Sequence, residues 1–222
     1  MSATCTHNGR SSLGWLGGLN PCVAHEGGVT ATVDGVFYNG RELGDGATPA
    51  TQIIRLYQQH GFAGALRRIN GDFAIALSDE KTGELWLARD RIGVKPLYFT
   101  ESSSAGFAFA SRCSALLALP GVSTEPVRQY VALVAASHYR HFDNQPERSP
   151  YSGISQLPAA HWLCLKNGVV TRGAYWALEN LPDWDEPEEK LAERYRDLLV
   201  DATRIRLACS SRPAFTLSGG MD

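Results

Sequence analysis

The sequence predicts an α+β fold, on three observations. Short apolar runs bounded by turn residues dominate the first 176 residues, as buried or half-buried strands require. Runs with apolar residues three and four apart flank them and read as helices laid on the sheets. Beyond Trp176 the chain turns acidic and proline-containing, which marks a linker before a further element.

The elements follow in order. The first 28 residues are rich in Gly, Ser and Asn and only weakly periodic, so the first strand is placed at residues 29–33. Asp34-Gly35 reads as a turn, and residues 36–38 as strand again. Thr48 can cap the free N–H groups of a helix, and Pro49 suits its first position. Ile53, Leu56, Tyr57 and His60 continue at helical spacing until Gly61, and a second short helix is expected over residues 62–69. Residues 72–77, Asp-Phe-Ala-Ile-Ala-Leu, form a buried strand; residues 79–83 turn the chain and residues 85–87 return it. Strands are expected at residues 95–100 and 107–111, and helices at 114–119 and, after Pro126, at 127–136. Residues 138–153 are polar and contain Pro146 and Pro150, so they read as a loop. Asn167-Gly168 between apolar runs at 162–165 and 169–171 predicts a hairpin, because Asn-Gly readily adopts the positive φ of a tight turn.

The linker, residues 177–187, leads into an amphipathic helix with Leu191, Tyr195, Leu198, Leu199, Ala202 and Ile205 on one face. Acidic residues open this helix and Arg204 and Arg206 lie near its end, which suits its dipole. Residues 213–217 then read as a buried strand.

Composition excludes several classes. The 44% hydrophobic content supports a core of ordinary size. With 21 basic against 23 acidic residues, no electrostatic footprint for nucleic acid stands out. No run approaches the ~18 apolar residues of a membrane span, and no basic patch precedes an apolar stretch at the start, so no secretory leader is expected. Cys5, Cys22, Cys113, Cys164 and Cys209 are widely spaced with no C-x-x-C pair, which suggests neither a disulfide framework nor a zinc site. Such scattered thiols fit a reducing cytosol, so a cytoplasmic protein is expected. His138 and His141 lack further Cys or acidic ligands nearby and read as solvated loop histidines.

Helix, short strand and Ser218-Gly-Gly form a pattern suited to phosphate, since glycines let backbone N–H groups approach an anion. Ser-Gly-Gly alone favours a plain surface turn after a strand. The full string Leu217-Ser-Gly-Gly-Met-Asp222 resembles the pyrophosphate loop of ATP pyrophosphatase domains, Ser-Gly-Gly-x-Asp-Ser. Upstream, Asn70-Gly-Asp-Phe-Ala-Ile-Ala76, Leu87-Ala-Arg-Asp-Arg-Ile-Gly-Val-Lys-Pro-Leu-Tyr98, Phe109-Ala-Ser111 and Gly153-Ile-Ser-Gln-Leu-Pro158 resemble the amidotransferase domain of asparagine synthetase. So do His161 and the pair Tyr175-Trp176.

This resemblance implies a four-layer αββα sandwich of the Ntn-hydrolase type over residues 1–176. It implies that residues 188–222 begin an α/β ATP pyrophosphatase domain whose remainder lies in a longer product or a companion chain. Ser218, Gly219, Gly220 and Asp222 would then contribute to ATP binding, with Asp222 a candidate Mg²⁺ ligand. The expected substrates are a small-molecule or peptide carboxylate and an amine. Neither nucleic acid nor membrane is an expected partner, and a homodimer is left open. The alternating charges Arg89, Asp90, Arg91 and Lys95, leading through Gly93 and Pro96 into a strand, read as an ion-paired bend rather than as chemistry.

A glutaminase of this class uses an N-terminal cysteine whose free amine serves as base, together with donors for the oxyanion. The family pattern is Met-Cys-Gly, then Arg-x-Arg-Gly-Pro-Asp, then Phe-Asn-Gly-Glu-Ile-Tyr-Asn, then Asp-x-Glu. Here Ser2 follows Met1, Arg-Gly-Pro-Asp does not occur, and the third motif reads Val33-Asp-Gly-Val-Phe-Tyr-Asn39. Asp34 and Gly35 therefore occupy the oxyanion-hole positions, with a carboxylate in place of an amide donor. Val36 replaces the glutamate, and the aspartate that binds the substrate amine maps to Ala50, beside Thr51 and Gln52. Cys5 becomes a terminal nucleophile only if Met1 to Thr4 are trimmed. The expectation is an inactive glutaminase in an amide ligase of the β-lactam synthetase or lasso cyclase kind. A glutamine-hydrolysing asparagine synthetase with unusual processing and a non-catalytic binding module are the alternatives.

Overall fold

The computed structural model describes residues 3–7, 12–16, 22–44, 47–102, 106–136, 145–178, 185–209 and 213–214, with backbone only for 3–7 and 12–16. It divides into two compact units, Met1–Ala177 and Leu178–Asp222.

In the first unit, β1 (Ala3–His7) and β2 (Ser12–Leu16) pair as a two-stranded ribbon. A six-stranded antiparallel sheet follows, built from β3 (Val23–Glu26), β4 (Val29–Phe37), β5 (Gly71–Asp79), β6 (Glu84–Arg89), β10 (His161–Lys166) and β11 (Val169–Ala174). Its order is β11-β10-β6-β5-β4-β3. A three-stranded sheet contains β7 (Tyr98–Ser102), β8 (Gly106–Ala110) and β9 (Ser155–Gln156), in the order β8-β7-β9.

Side-chain alternation turns these sheets into layers. On β5, Phe73, Ile75 and Leu77 face a core shared with α2 (Pro49–Arg68), where Ile53, Ile54 and Leu66 are fully buried. The intervening Ala74 and Ala76 face the second sheet and pack with Leu87, Leu97, Phe99, Leu157 and Leu163. The outer face of that sheet meets α3 (Cys113–Leu117) through Leu116, Val122 and Ile154. Helix, sheet, sheet and helix thus stack as the four-layer arrangement expected.

The short helix α1 (Gly40–Leu43) precedes α2, and α4 (Arg128–Ala136) follows α3. Thr48 caps α2 by accepting the Thr51 N–H at 3.3 Å, and the helix is broken at Gly61 (φ 68°, ψ 170°), the division that the sequence suggests. Asn167 (φ 51°) and Gly168 (φ 79°) make the predicted hairpin turn.

Several expectations need correction. Asp34-Gly35 is not a turn: β4 runs unbroken from Val29 to Phe37 with β5 paired along it. The early segment contains strands, including β3, which turns into β4 at Gly27-Gly28. Residues 95–97 belong to the preceding loop, and β7 begins at Tyr98. In the loop expected over 138–153, residues 138–144 lie outside the described part.

In the second unit, α5 (Glu188–Leu207) forms as expected, with Glu188 and Glu189 in its first turn and Arg204 and Arg206 in its last. It buries none of its residues. The strand predicted at 213–217 lies outside the described residues apart from Pro213 and Ala214, as do Ser218, Gly219, Gly220 and Asp222.

Candidate functional site

Asp34 lies on β4 opposite Ala74 of β5, so its side chain shares the face that looks toward the second sheet. Its neighbour Gly35 permits this pairing. A Cβ at Gly35 would meet the Asp72 carbonyl oxygen at 2.0 Å and the Phe73 Cα at 2.7 Å, distances that no side chain tolerates.

The wall opposite Asp34 is built by the segment between β6 and β7. Asp90, only 1% exposed, organises that segment. One of its oxygens accepts the N–H groups of Ile92, Gly93 and Val94 at 3.1, 2.6 and 2.9 Å. The other accepts those of Lys95 at 2.9 Å and Phe73 at 3.3 Å. Arg89 closes the bend from outside, donating to the carbonyl oxygens of Lys95, Gly93 and Leu157 at 2.8, 2.7 and 3.0 Å. The bend is therefore structural, as expected, but backbone groups rather than internal ion pairs hold it. Arg91 lies over the Trp176 ring and donates to the Arg67 carbonyl.

Lys95 departs from this role. Its Nζ reaches Asp34 Oδ1 at 2.9 Å, with both side chains a little over one third exposed. Burial pushes the Asp34 carboxyl up. Hydrogen bonds from Lys95 and Ser111, with the charges of Lys95 and Arg112, outweigh burial and hold it below the usual carboxylate range. Asp34 is thus an ionised, paired carboxylate, able to accept hydrogen bonds but not to donate one.

Around it, Tyr38 donates its hydroxyl proton to Asp72 at 2.5 Å. Asn39 donates to the Arg68 carbonyl and accepts from the Asn70 N–H, tying the end of β4 to the start of β5. Ala50, at the start of α2, is fully buried and donates its N–H to Cys22 Sγ at 3.1 Å. Gln52 donates to the carbonyl oxygens of Gly40 and Gly44.

Of the thiols singled out in the sequence, Cys22, Cys113 and Cys164 are all raised by burial first, Cys164 to about 11. None is an activated nucleophile. Cys5 lies on β1 opposite Gly14, and its side chain is outside the described part. Among the described residues, no group of three or more His, Cys, Asp or Glu side chains could hold a metal ion. No described helix is long and apolar enough to cross a membrane. Sequence reasoning missed the Lys95–Asp34 pair, because the partners are 61 positions apart and only the fold brings them together.

The family model of the glutamine amidotransferase domain matches residues 5–176. Asparagine synthetase 3 (glutamine-hydrolyzing) of Bacillus subtilis (strain 168) is 32% identical over 69% of this chain and 24% of its own length. Asparagine synthetase 2 (glutamine-hydrolyzing) of the same organism is 27% identical over 96% of this chain and 30% of its own length. The chain thus spans between about a quarter and a third of these curated relatives. Among solved structures, the glutamine phosphoribosylpyrophosphate amidotransferase of B. subtilis aligns with TM-score 0.47 and 13% identity. That alignment covers 74% of this chain and 35% of the other.

Proposed function

Since the chain belongs to the glutamine amidotransferase domain family, with asparagine synthetases as its relatives, we propose that it is the front part of an ATP-dependent, AMP-forming amide ligase whose amidotransferase domain no longer hydrolyses glutamine. One observation supports the reading: Asp34, which the motif resemblance aligns with the oxyanion-hole donor, is a carboxylate kept ionised by Lys95 at 2.9 Å. Thioester chemistry on glutamine builds negative charge on the carbonyl oxygen. A donor at that point is worth roughly a hundredfold or more in rate, and a fixed negative charge opposes the same transition state. The lack of a carboxylate at Ala50 supports the same conclusion.

With ammonia release lost, the nucleophile must be an amine of the substrate itself, as in β-lactam synthetase and lasso peptide cyclases. The acyl donor is a small-molecule or peptide carboxylate. Ser218, Gly219, Gly220 and Asp222 offer a hydroxyl, backbone N–H groups and a carboxylate, a donor set that suits the phosphates of ATP and Mg²⁺. ATP supplies activation of the carboxylate as an adenylate. The amidotransferase domain serves as scaffold.

A second reading, a glutamine-hydrolysing synthetase with a trimmed N-terminus, draws support from the family match, which begins at Cys5. The two are separated by supplying the full gene product with ATP, Mg²⁺ and candidate carboxylates and following pyrophosphate with and without glutamine. Pyrophosphate release indifferent to glutamine is expected. Ammonia from glutamine, with a mature protein that starts at Cys5, would establish the second reading instead.

A further inference from the structure

We draw no further inference here: the strongest candidate, the uncharged stretch of α4 from Gln129 to Ala136 with Val131 and Val134 about half exposed, is an apolar helix surface for which nothing in the structure shows what covers it.

Discussion

Asp90 receives five backbone N–H groups, from Phe73, Ile92, Gly93, Val94 and Lys95, and is almost wholly buried. Its removal leaves those donors without an acceptor, and each buried unsatisfied group costs about 1–3 kcal/mol. Asp90→Ala should therefore lose more than ~3 kcal/mol in urea denaturation, with Asp90→Asn intermediate because an amide oxygen still accepts. A loss below ~1 kcal/mol would contradict the assignment. Asp34 calls for the opposite scale. Its pair with Lys95 is more than one third exposed, so Lys95→Met should cost only about 0.5–1 kcal/mol near neutral pH. The folded carboxyl is depressed, so its contribution is present above the unfolded value of ~3.9 and vanishes as pH falls through the lower folded value. Melting curves of the two proteins should differ at pH 7 and converge toward pH 2–3; a gap that widens in acid would be the wrong sign.

Individual strands and turns test a different kind of constraint. Gly35 lies within β4 because β5 approaches it too closely for any Cβ, not because the chain reverses there. Gly35→Ala should lose several kcal/mol or fail to accumulate folded protein, since paired backbone cannot yield by an ångström. Gly168→Ala makes the useful contrast: its φ is positive, but a Cβ there meets nothing within 4 Å. Only the conformational penalty of about 1–2 kcal/mol remains. Equal losses in denaturant titrations would show that close approach is not what selects glycine at 35. The break at Gly61 obeys similar logic: φ 68° and ψ 170° interrupt α2, while Phe62, Ala65 and Leu66 beyond it return to the same core as Ile53.

In the first unit, stability rests on three cores set between four layers, formed among the described residues by positions 22–175. The helix of the second unit buries none of its residues, although Tyr195, Leu198 and Leu199 are more than half exposed. A chain ending at Ala177 should therefore keep a single cooperative unfolding transition, with a melting temperature within a few degrees of the longer chain's. Calorimetry that shows the transition lost or split would place part of the core outside these three clusters.

From residue order alone came the alternation of Phe73 to Leu77, the capped start of α2 and the Asn167-Gly168 hairpin. These are local properties, since the period of apolar residues and the φ demanded by a turn are written within a few positions of the chain. Tertiary structure decided what separation in sequence conceals. It placed Gly35 against Asp72, brought the Asp90 carboxylate to the Phe73 N–H as well as to its own loop, and joined Lys95 to Asp34. Each of these depends on which strands become neighbours and in what register. Packing of the three cores settles that choice, and no short window of sequence contains it.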